Sequence, residues 1–244
     1  MFNGCQNLEQ IDISKFDTSK VTDMNYMFNG CQKLTSLDVS NFNTANVRDM
    51  AAMFQNCKLL KQLDFKNFST KNVYDMSMMF SGCSSLTSLD VTKFDTSNVE
   101  DMYLMFGGTS LITSLDLSNF RTNSCKDMSQ MFEECNKLTS VDLSQFNTAN
   151  VEDMFAMFKS CNNIEIKGLE NFNTKKVRDM SNMFFSCEKI TNLNLNSFIT
   201  SEVYDMTGMF AYCRNVEKIE MSKIDTSSVQ YMEKMFIGCS KLKD

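Results

Sequence analysis

Apolar residues fall in columns that repeat every 26 positions along this chain. The dipeptide Met-Phe starts at Met1, Met27, Met53 and Met79, and continues at the same spacing to Met235, without insertion or deletion. A second column runs from Phe16 and Phe42 to Phe198 and closes at Ile224. Self-similarity at such a period is the mark of a stacked-repeat architecture. Nine units and the start of a tenth fill residues 1–244, which predicts a single solenoid domain. Neither end shows the polar cap that a solenoid needs. That absence points to a fragment of a longer protein or, less favoured, to ends covered by a partner such as a second copy.

One unit, MFNGCQKLTSLDVSNFNTANVRDM (Met27–Met50), divides by its internal spacing. Leu37 and Val39 alternate with Ser36, Asp38 and Ser40, the pattern of a half-buried strand. Phe42-Asn43-Thr44 reads as a turn, with Asn and Thr side chains bonding local backbone. Met50, Met53, Phe54 and Cys57 stand at i, i+3, i+4 and i+7, the stripe of a short amphipathic helix. Asp49 precedes that stripe where a cap would stand, and Gly30 or Gly82 stands where the helix would end. One strand and one short helix cannot bury their apolar faces alone, whereas stacked copies can. The expected fold is therefore an α/β solenoid, with one short parallel β-strand and one short helix per unit. At ~4.8 Å per rung the stack is about 45 Å long. Around Lys167-Gly168 the strand pattern breaks, which predicts a local shift or bulge.

The strand LTSLDVSNF (Leu34–Phe42) resembles a leucine-rich repeat. The continuation FDTSNVEDMYLMF (Phe94–Phe106) resembles the 26-residue repeat of bacterial surface proteins and mycoplasma lipoproteins in the BspA-like leucine-rich-repeat group. The resemblance implies a right-handed leucine-rich-repeat-like stack, an extracellular or cell-surface location, and adhesion or protein binding. It carries over no catalytic residue. Relatives in large viruses keep a virion component open as an alternative.

Composition narrows the chemistry. The chain has no His, Pro or Trp and a net charge of −6. Imidazole ligands and Ser-His or Cys-His nucleophiles are excluded. The acidic balance argues against nucleic acid and anionic membranes. No apolar run is long enough to span a bilayer. Nine of the ten Cys share one column, from Cys5 to Cys239. A metal site needs ligands that converge, and a disulfide ladder needs Cβ vectors that parallel rungs do not supply. The column therefore reads as reduced, packed thiols.

Two acidic columns remain. On the strand face stand Asp12, Asp38, Asp64, Asp90, Asp116 and Asp142, continued by Asn194 and Glu220. Like charges on adjacent rungs repel by roughly 1 kcal/mol in water. These Asp residues are the ligand-face candidates: a solvated row that keeps the sheet from sticking, or a face for a basic partner or a weakly held cation. The second column (Asp23, Asp49 and on to Asp205) reads as helix caps. The Thr column, Thr18 to Thr226, reads as turn hydroxyls. Six equivalent strand-face positions do not make the unlike groups that catalysis requires. The sequence thus indicates a non-enzymatic scaffold without metal or cofactor, binding a host, matrix or self protein. The alternative is an assembly component that stacks end to end as a fibre, capsid decoration or surface layer.

Overall fold

The structure, a computed structural model, describes residues 1–243. Its rungs stack in register at the sequence period. Phe28, Phe54, Phe80 and Phe106 are fully buried, and successive rings stack with centroids 5.9, 6.0 and 5.9 Å apart. The second Phe column stacks likewise, with Phe120 and Phe146 at 6.3 Å. Val47, Met50, Met53, Cys57 and Leu60 are also fully buried, as are their counterparts in the next rung. Each column buries itself against its own copies, so the core is a set of parallel lines rather than a sphere.

The segment expected as a strand at Leu37–Val39 alternates as predicted, with Leu37 and Val39 buried and Asp38 exposed, but it forms no regular strand. Regular pairing occurs in part of this column. Strand β1 (Ser140–Asp142) pairs in parallel with β2 (Glu165–Lys167), and β3 (Asn192–Asn194) with β4 (Lys218–Glu220). The break at Lys167-Gly168 is a one-residue shift. Val141 pairs with Ile166, 25 positions on, whereas Leu193 pairs with Ile219, 26 on. Gly168 then turns with φ 91° into a 3-10 turn, Leu169–Asn171, which returns Leu169 to the core. A Cβ at Gly168 would stand 2.4 Å from the backbone N of Ser144, so only glycine fits there.

The expected helix is not formed; among the described residues the 3-10 turn is the only helical element. The Met50–Cys57 segment is a run of tight turns whose N–H groups alternate in direction. Met50, Ala52, Phe54 and Asn56 donate to the next rung, to the carbonyls of Asp75, Ser77, Met79 and Ser81, at 3.0, 2.7, 3.0 and 2.7 Å. Between them, Met53, Gln55 and Cys57 donate locally to Met50, Ala52 and Phe54 at 3.1–3.2 Å. Ala52 and Asn56 hold left-handed backbone, φ 53° and 57°, and the pattern recurs at Met78/Gly82 and Leu104/Gly108. A left-handed residue costs about 1–2 kcal/mol outside glycine. An eight-residue helix would be hard to nucleate and would leave its terminal N–H and C=O groups unpaired. The turn ladder instead pairs that backbone with identical neighbours, which also explains how an i, i+3, i+4, i+7 stripe is buried without a helix.

Candidate functional site

On the strand face, Asp38, Asp64, Asp90 and Asp116 line a shallow groove of about 880 Å³ with Ser36, Ser88, Ser114, Gln62, Lys66 and Thr92. Asp12 and Asp142 occupy the same column, exposed, beyond that groove. The alternation of each strand aims these carboxylates outward. One oxygen of each is held by the N–H two residues on, from Ser14, Ser40, Lys66, Thr92, Ser118 and Ser144, at 2.9–3.0 Å. The Ser or Thr hydroxyl at that position, and then its N–H, hold Asp12, Asp38, Asp90, Asp116 and Asp142 below the usual carboxylate range. Asp64 has Lys66 there instead, its Nζ 3.5 Å from Oδ2. All six carboxylates are thus oriented by the backbone of their own unit. Beyond Asp142 the row changes sign, because Lys167 is its partner across β1–β2. Gln62, Lys66 and Thr92 were not singled out in the sequence, since they sit at positions that vary from unit to unit.

The second acidic column does not cap helices. Asp49 pairs with Asp75, Asp75 with Asp101, and Asp101 with Asp127 as isolated parallel bridges, in a row running from Asp23 to Tyr231. Each carboxylate closes a tight turn on the N–H two residues on, as Asp49 does on Ala51 at 2.9 Å. The turn ladder was the less visible of the two in the sequence, yet it is the more continuous.

The Thr column also differs from expectation. Its hydroxyls bond backbone, but in the next rung rather than in their own turn. Thr96 Oγ1 donates to the Arg121 carbonyl at 3.1 Å and accepts the Arg121 N–H at 2.8 Å. Thr44 and Thr122 do the same to Ser69 and Asn147.

Seven of the nine column thiols are buried, as the packed reading expects, and all nine are free. Each buried thiol of the column donates to the Phe carbonyl of the preceding rung, as Cys83 does to Phe54 at 3.0 Å, while Cys125, outside the column, donates to the Asp127 carbonyl at 3.2 Å. Thr109, in place of a column Cys, bonds the Phe106 carbonyl of its own unit at 2.7 Å. Burial pushes Cys31 up to about 11 and Cys83 and Cys213 up to about 12, so these thiols are poor nucleophiles. With eight of ten thiols buried, a thiol reagent should label Cys5 quickly and Cys239 slowly. The other eight should label only after denaturant is added, and their rapid labelling in the native protein would contradict the packed column.

Over residues 1–88, 59–167 and 154–244, the chain matches the sequence profile described as "Mycoplasma protein of unknown function, DUF285". The chain belongs to this family. DUF285 membership agrees with the resemblance of the unit to the mycoplasma lipoprotein repeat. No curated protein matches the chain in sequence. Among solved structures, a leucine-rich repeat protein from Bacteroides ovatus is similar at 18% identity, covering 99% of this chain and 67% of its own, with TM-score 0.44. A leucine-rich cell surface protein from Faecalibacterium prausnitzii is similar at 15% identity, covering 91% and 75%, with TM-score 0.38. The leucine-rich repeat protein of T. pallidum is similar at 17% identity, covering 95% and 76%, with TM-score 0.31. Among the described residues no helix is long and apolar enough to cross a membrane.

Proposed function

We propose that this DUF285 chain is a non-enzymatic repeat scaffold, displayed at the cell surface, which binds a protein partner through its strand-face groove. The row of pre-oriented carboxylates along that groove is the observation that carries the reading. Carboxylates already fixed by their own strand lose little freedom when they meet a partner's Lys, Arg or amide groups. The repeated geometry suits an extended surface with many equal contacts. It does not suit catalysis, because no member of the row is made chemically unlike its neighbours. The same row would hold a divalent cation only weakly, since the flat arrangement does not wrap an ion.

The test is the Asp64→Ala/Asp90→Ala/Asp116→Ala variant against a panel of immobilised extracellular-matrix proteins. Binding of the unaltered chain to any of them should fall at least tenfold and weaken with salt, because exposed charges are screened. The melting temperature should change little, because relief of like-charge repulsion offsets the exposed bonds to Lys66, Thr92 and Ser118 that are lost. Equal binding by variant and unaltered chain would remove this face from the account.

A further inference from the structure

The residue before each turn-ladder Asp forms a column of its own. Over its central rungs it reads Tyr74, Glu100, Lys126, Glu152, Arg178 and Tyr204. All six are exposed, whereas the residue before each, such as Val99, Cys125 or Val151, is fully buried. The ladder's alternation therefore turns all six side chains outward together. Backbone bonds fix their spacing. The N–H groups of Glu100, Lys126, Glu152, Arg178 and Tyr204 each donate to the carbonyl of the column residue one rung before, at 2.7–2.9 Å. The column thus carries four charges of alternating sign between two tyrosines, over about 24 Å at ~4.8 Å per rung. The chain itself uses this alternation only in part. Lys126 pairs with Glu100 at 2.5 Å, while among the described residues Glu152 and Arg178 form no ion pair.

The order of the charges has a symmetry that the period does not require. Turned end for end about an axis midway between Lys126 and Glu152, the column becomes its own complement. Lys126 then stands opposite Glu152, Glu100 opposite Arg178 and Tyr74 opposite Tyr204, each meeting occurring twice. We propose that two copies of this chain pair antiparallel through this column, as a side-by-side two-fold dimer held by four ion pairs between two tyrosine contacts. A two-fold contact uses the same patch on both copies, so the patch must complement itself in this way.

Neighbouring registers do not work. An axis on Lys126 puts that residue opposite itself and Glu100 opposite Glu152, and an axis on Glu152 puts Lys126 opposite Arg178. Like charges set face to face cost several-fold in affinity, so the sequence selects one register. The flanking columns raise no conflict there. Ser129 falls opposite Phe155 and Tyr103 opposite Ser181 on one side, and Asn98 opposite Lys176 on the other. The half-buried Asp row opposes the pairing, since Asp127 falls opposite Asp153. Each of those carboxylates is already bonded to its own turn, at 2.8 Å to the N–H of Ser129 and of Phe155, and Lys126 and Arg178 are long enough to reach past them. The contact is also small for a stable dimer. A weak, reversible dimer is therefore expected, with a dissociation constant between about 10 µM and 1 mM. None of the six residues lines the strand-face groove, so the dimer presents two grooves.

The test is sedimentation velocity from about 10 µM to about 1 mM in ~0.1 M salt, where long-range repulsion between two acidic chains is damped and contacts at ion-pair distance persist. The unaltered chain should pass from monomer to dimer and stop there, and ~1 M salt should return it to monomer. Lys126→Glu sets Glu opposite Glu at both central contacts, and Glu152→Lys sets Lys opposite Lys. Each variant alone should self-associate at least tenfold more weakly. Mixed in equal amounts, the two should form a heterodimer, because both central contacts then join Glu to Lys. A chain that stays monomeric to about 1 mM, single variants that dimerise as well as the unaltered chain, or a mixture that stays monomeric would overturn the dimer. If the unaltered chain is monomeric and Lys126→Glu loses binding to matrix proteins, the column faces a foreign partner and the dimer is likewise excluded. The concentration and salt series on the unaltered chain decides the matter if a variant fails to fold.

Discussion

Replacing Phe80 with alanine destabilises the protein by about 3–5 kcal/mol, the range for deleting a buried aromatic ring. Phe80 has no exposed surface, and its ring stacks between Phe54 and Phe106 at 6.0 and 5.9 Å. Phe65 meets it edge-on at 5.6 Å. The cavity could not collapse easily, because the rungs on both sides are fixed by the turn-ladder bonds of Phe54 to Met79 and Phe80 to Met105, each 3.0 Å. In a globular core such a loss lowers a single unfolding transition. In a linear stack, stability is a sum of units and their interfaces, so a broken interface uncouples the two sides. Urea unfolding of Phe80→Ala should therefore show a lower midpoint and a broadened or split transition. Phe80→Leu should recover part of the loss. An unchanged curve for Phe80→Ala would mean that the Phe column is not the continuous core.

Thr96→Val is the second large effect, at about 1–3 kcal/mol with almost no change in volume. The Thr96 hydroxyl satisfies both the N–H and the C=O of Arg121, and Thr96 itself is fully buried. Valine fills the same space and leaves both groups of Arg121 without their partner, at the full cost of desolvation. Thr96→Ser should retain most of the stability, because the hydroxyl remains. Thr35→Val, at an exposed strand position, serves as the control and should stay within about 0.5 kcal/mol of the unaltered chain. Chemical denaturation of the three variants side by side checks this. Equal loss in Thr96→Val and Thr35→Val would show that the hydroxyl does not link the rungs.

Much of the stack was legible in the sequence because a period without slippage admits little besides register. The Phe54, Phe80 and Phe106 column, the buried Cys57 and Cys83, and the shift at Lys167-Gly168 all follow from reading one unit against the next. The local conformation of the Met-Phe segment was not legible. Its apolar spacing fits a helix, and the left-handed positions fall on Ala52, Met78 and Leu104, residues with no preference for that backbone. What selects the turns is the neighbouring rung, which accepts alternate N–H groups. A reading of one unit in isolation does not contain that neighbour. The same blindness assigned Thr96 to its own turn and Asp49 to a helix cap. At the candidate site, the Asp38-to-Asp116 row was legible from alternation alone. Lys66 beside Asp64, and Lys167 ending the acidic row, needed the rungs placed side by side.

The central claim is that backbone bonds run from rung to rung along the Met-Phe segment rather than up a helix within each unit. Scalar couplings across hydrogen bonds, measured in isotope-labelled protein, test it most directly. Couplings should link the Phe54 N to the Met79 carbonyl carbon, Phe80 to Met105 and Phe106 to Met131, the pairs bonded at 3.0 Å. Couplings from Phe54 to Met50, four residues back as in an α-helix, would contradict the account.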